Sequence, residues 1–87
     1  MTRYFFNFLG DFDRRDEEGM HFEDHAAAKM HGIRCAAKLM RADPIALVGG
    51  KDLELQVTDD RGLVLFVLHV CVTDAPAVAP YARTEWV

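Results

Sequence analysis

"DLELQVTDDRGLVLFVLHVCV", residues 52–72, decides the fold. Its first part alternates strictly. Leu53, Leu55 and Val57 fall on one side, and Asp52, Glu54 and Gln56 on the other, the period of a half-buried strand. "TDDRG" supplies turn chemistry. "LVLFVLHVCV" then reads as a second, longer strand, so the stretch predicts an antiparallel hairpin with a loop of about four residues. This second strand does not alternate in polarity. Leu63, Leu65, Val67, His69 and Cys71 face one way, and Val64, Phe66, Leu68, Val70 and Val72 face the other.

Upstream, "RYFFNFL" (3–9) reads as a strand, because aromatic side chains pack well on a pleated surface. Tyr4, Phe6 and Phe8 share a face opposite Phe5, Asn7 and Leu9. "RRDEEGMHF" (14–22) offers a short second strand pairing back on the first, although five of its nine residues are charged. From Asp24 to Ala42 the pattern is helical. Asp24 suits an N-cap, and Asp43-Pro44 ends the helix, since a residue before proline is driven out of the α region. At 100° per residue the expected apolar stripe is Ala26, Ile33, Ala36, Ala37 and Met40, with Leu39 at its edge. Lys29 falls inside it, which leaves open a stripe rotated towards Ala28, Gly32 and Leu39. His31, Arg34, Lys38 and Arg41 take the opposite side. "PIALVGG" (44–50) reads as a connector. The expected fold is α+β: a small antiparallel sheet of three to four strands with one helix packed on one face, in the order β-β-α-β-β. Residues 1–72 form one domain. Residues 73–87, "TDAPAVAPYARTEWV", form an irregular tail, which docks only if Tyr81 and Trp86 are used.

An 87-residue chain makes one domain that buries roughly 60–65% of its extended surface. Its 51% hydrophobic and 28% charged residues are globular proportions, which argues against wholesale disorder. A net charge of −4 argues against a general phosphate-binding surface. Two cysteines without a CxxC are not a disulfide framework. Free thiols, no signal-peptide pattern and no apolar run near the roughly 20 residues of a bilayer span make the expected location cytoplasmic, with no membrane partner.

Seven of the 14 acids lie in "GDFDRRDEEGMHFEDH", residues 10–25, which makes that segment the first candidate for ligand chemistry. A calcium loop starting at Asp11 puts Arg15 at the fifth position, Asp16 where glycine is needed, and Phe22 in place of the bidentate glutamate. The acids instead suit a turn and a helix cap, with Gly19 giving a positive-φ bend, or a negative surface for a basic partner. Zinc needs four ligands. His21 and His25 need not share a face. His31 and Cys35 do, and His69 and Cys71 share a strand face, but the helical wheel turns the first pair outward. No metal and no cofactor are expected. Cys35–His31 is the one nucleophile–base pair with defined spacing, there is no serine, and no phosphate loop is present. The protein is expected not to be an enzyme.

The residues "RYFF" near the start, "DEEG" before the helix, Asp24 leading an Ala-rich helix, and "LELQVTDDRGLVLFVL" resemble the DUF6894 family of short bacterial proteins of unknown function. The resemblance covers roughly residues 2–70. It supports the architecture and implies no catalytic or ligand residues. The architecture alone is also similar to HicB-type antitoxin domains.

Two strands carry apolar residues on both sides, while one helix covers only one. The C-terminal tail, a second copy or a different protein can cover the other side; the expected remedy is a homodimer, by face packing or edge pairing, with Phe5, Leu9, Val64, Phe66, Leu68 and Val70 as candidate interface. The functional expectation is a non-enzymatic protein that self-associates and binds a partner protein. The alternative is a regulatory, antitoxin-like nucleic-acid-associated module using the basic helix face of Arg34, Lys38 and Arg41.

Overall fold

The computed structural model describes residues 2–76, and the tail residues Tyr81 and Trp86 lie outside them. Strands β1 (Thr2–Leu9), β2 (Met20–Phe22), β3 (Leu53–Thr58) and β4 (Val64–Val70) form one antiparallel sheet in the order β2-β1-β3-β4. Helix α1 (His25–Ala42) packs on one face. The α+β expectation and the element order hold.

The sheet is amphipathic where the sequence alternates. Phe6 pairs across to Val57 and Phe8 to Leu55, and these four, with Tyr4 and Leu53, are buried on the helix side. The Asp24 carboxylate accepts from Ala27 N–H at 2.8 Å and caps α1. The buried stripe of α1 is Ala28, Gly32 and Ala36, flanked by half-buried His31, Cys35, Leu39 and Met40. This is the rotated stripe. Ile33, expected inside, is 55% exposed, and Ala26 and Ala37 are exposed too. Small residues win the inner face because the helix lies close on the sheet. A Cβ at Gly32 would stand 3.2 Å from Leu55 Cδ2.

The "PIALVGG" connector is in fact helical in part: α2 (Pro44–Val48). Proline stands at its first turn, where no N–H is needed, and Asp43 caps it by accepting from Ala46 N–H at 3.2 Å. The same Asp43-Pro44 pair that ends α1 therefore starts α2. In the hairpin turn, the Asp59 carboxylate accepts from Arg61 and Leu63 N–H, and Gly62 takes φ +83°. No helix among the described residues is long and apolar enough to cross a membrane.

One irregularity sets the outcome for β4. Val57 pairs with Phe66, but Thr58 pairs with Val64. Leu65 is the extra residue of a β-bulge. Without the bulge, Leu65 would lie across from Val57, and Phe66, Leu68 and Val70 would point away from the helix. With it, Phe66, Leu68 and Val70 join the helix side, partly buried against the core.

Candidate functional site

The acidic segment closes over β1. Phe8 and Arg14 exchange backbone hydrogen bonds of 2.8 and 2.9 Å. Between that bridge and the β1–β2 pairing, Phe6 N–H donates to Asp16 Oδ2 at 3.1 Å. Asp16 Oδ1 accepts from Glu18 and Gly19 N–H at 3.1 and 3.0 Å, and Asp16 N–H donates to Asn7 Oδ1 at 2.9 Å. Gly19 turns with φ +73°, and a Cβ there would strike Arg3 and Phe5. The outer edge of β1 is thus sealed along its length, first by β2, then by Asp16, then by Arg14. Burial pushes the Asp16 carboxyl up. Hydrogen bonds from Gly19, Phe6 and Glu18, with the His31 charge, outweigh it and hold the group below its ordinary 3.8.

Between this segment and α1 runs a groove of about 750 Å³, with His31, Cys35 and Leu39 on the helix side and Arg14, Arg15 and Asp16 opposite. His31 was expected outward. Its ring instead packs on Phe6 at 4.8 Å and Phe22 at 5.3 Å, because the helix is rotated. His31 Nε2 and Cys35 Sγ lie 3.4 Å apart. A nucleophilic thiol needs a depressed pKa. Burial pushes Cys35 up, Lys38 opposes it, and Asp16 adds to the rise, the opposite direction from the one a nucleophile needs. Of the basic helix face, Arg34, Lys38 and Arg41 are all exposed, and Lys38 reaches the groove rim.

The six candidate interface residues are divided by the bulge. Phe5 and Leu9 lie on the face away from α1. Phe66, Leu68 and Val70 lie on the helix side, and Val64 is 44% exposed at the start of β4. The open face is less apolar than the β4 sequence alone implies, because Asn7, Glu54 and Gln56 occupy its middle. Exposed apolar surface gathers instead along β4: Leu63, Val64, Val67 and Val72, with Ile33 of α1 beside them. A second groove, lined by Gly32, Ile33, Phe66, Val67 and Leu68 with Lys29 beside them, runs there. β4 has β3 on one side and, among the described residues, no strand on the other.

His69 and Cys71 share the open face at the end of β4, as their spacing requires. Their third neighbour was not anticipated. Asp52 Oδ2 lies 3.1 Å from His69 Nε2, and ligand atoms of Asp52, His69 and Cys71 all fall within 4.8 Å of one another. The signal for Asp52 was the hairpin register, but the bulge had to be known. A regular turn opposes Asp52 to Val70, and the bulged one opposes it to Cys71. His31 and Cys35 lie on the other side of the sheet, so a four-ligand set of His31, Cys35, His69 and Cys71 does not assemble.

A family model described as "Domain of unknown function (DUF6894)" matches residues 3–71. No curated protein and no solved structure matches the chain.

Proposed function

The chain belongs to the DUF6894 family, and on that footing we propose that it is a non-enzymatic domain that self-associates, two copies pairing β4 against β4 about a two-fold axis. The observation that carries this reading is the asymmetry of the sheet's two edges. One edge is managed: β2 is three residues long, and Asp16 and Arg14 occupy the rest of β1. The other is a seven-residue strand. No Lys, Arg, Asp, Glu or Pro occurs from Leu63 to Val72, although such residues are the usual protection of a sheet edge. Copies that each carry net charge −4 repel least where the surface is uncharged, and this strand is such a surface.

Antiparallel pairing of β4 with itself is isologous. Centred on Val67, it sets Val67 against its own copy and Phe66 against Leu68. The groove beside α1 then closes with Ile33 from both copies. The location in this reading is cytoplasmic, supported by the unbridged Cys35 and Cys71.

Light scattering of the full chain at tens of micromolar is expected to give twice the chain mass. Val67→Lys puts like charges directly opposite each other across the axis and is expected to give a folded monomer, with its far-ultraviolet dichroism unchanged. Leu9→Glu, on the open face, is expected to leave the dimer intact. A monomeric wild type, or a dimer lost to Leu9→Glu and kept in Val67→Lys, would overturn the reading.

A further inference from the structure

We propose that Asp52, His69 and Cys71 form a three-ligand site for a divalent transition-metal ion of the zinc class. One carboxylate oxygen, one imidazole nitrogen and one thiolate sulfur converge within 4.8 Å. A tetrahedral zinc ion with bonds of about 2.0–2.3 Å sets its ligands about 3.3–3.8 Å apart, so small side-chain rotations close the site. Asp52 Oδ2 and His69 Nε2 already stand at 3.1 Å.

The convergence comes from the backbone. His69 lies on the open face of β4, and Cys71, two residues on and just past the strand's end, brings its sulfur to the same side. Leu53 pairs with Val70, which brings Asp52, one residue earlier, level with Cys71. The start of β3 is tied down by Asp52 N–H donating to Asp11 Oδ2 at 3.4 Å. Glu54 lies directly opposite His69 in the ladder. A carboxylate that accepts from the second imidazole N–H of a metal-bound histidine orients its ring, and Glu54 is the carboxylate in register with His69.

The donor set selects the ion. Calcium and magnesium take oxygen ligands, whereas a thiolate with an imidazole favours zinc, cobalt or copper. Three protein ligands leave a fourth position open. As a bare ion pair, His69–Asp52 is half exposed and adds little to stability. All three ligands come from one chain, so the site goes beyond the proposed self-association and does not depend on it.

The test is a cobalt titration of the reduced, untagged full chain, read by absorption. The expected result is stoichiometric uptake with a thiolate-to-cobalt charge-transfer band, discharged by added zinc. Cys71→Ser removes the band. His69→Ala and Asp52→Asn each weaken binding by roughly tenfold or more, and Cys35→Ser changes nothing. All three ligands are exposed, so these variants are expected to fold, which their dichroism checks. Absence of a thiolate band at tens of micromolar cobalt, or a band that survives Cys71→Ser and vanishes with Cys35→Ser, would overturn the proposal.

Discussion

Asp16 accepts three backbone N–H groups and aligns its own N–H with Asn7, so one carboxylate organises the turn and the β1 edge together. Asparagine at this position keeps one acceptor and turns the other into a donor aimed at a donor. Asp16→Asn is therefore expected to lose about 1–3 kcal/mol in urea unfolding at neutral pH, the penalty of leaving a part-buried N–H unmatched. The pH dependence has a definite sign. The folded carboxyl titrates below its ordinary 3.8, so its contribution is complete above that value and fades as pH falls through the lower, folded one. The gap between wild type and Asp16→Asn is expected to narrow in unfolding curves recorded below about pH 4. Nothing in the sequence separates Asp16 from Glu17 or Glu18. The distinction appears only when Arg14 pairs with Phe8 and the chain between them folds back over Phe6. The opening cluster of acids is thus a clasp on β1 with a helix cap at Asp24.

Helix α1 meets the sheet through Gly32, and that closeness is testable. Gly32→Val puts branched atoms where even a Cβ would stand 3.2 Å from Leu55. It is expected to destabilise by about 1–3 kcal/mol through overpacking, measured as a lowered urea midpoint with an unchanged slope. Much at this scale was legible in sequence. The Asp24 cap, the strict alternation of "DLELQV" and the aromatic face of "RYFFNFL" each have a local cause. The inner face of α1 was less so, because Ile33 and Met40 bias a hydrophobic wheel more than alanine and glycine do, while a closely packed helix selects small side chains. The facing of β4 was hidden for another reason. Both sides are apolar, so polarity gives no register, and the single extra residue at Leu65 decides it. That bulge also moves Asp52 opposite Cys71, which is why the cluster on the open face could not be assembled from residue types alone.

At the scale of the molecule, the sheet has one edge closed by its own chain and one with no strand beyond it among the described residues. If β4 pairs with a second copy, folding and association are linked by mass action. The melting temperature is then expected to rise with protein concentration in scanning calorimetry, and to stay flat for Val67→Lys. The strand order β2-β1-β3-β4 carries a further consequence, for the order of events during synthesis. The ribosome makes β1 first, yet its principal partner, β3, begins at Leu53. At roughly 5–20 residues per second, Tyr4, Phe6 and Phe8 wait several seconds for the strand that completes their sheet. The charged residues that follow immediately, from Asp11 to Asp24, flank that aromatic segment throughout the wait. Charges flanking an apolar strand are the usual gatekeepers against premature pairing, and the order of the chain sets them beside the aromatic strand before the hairpin arrives.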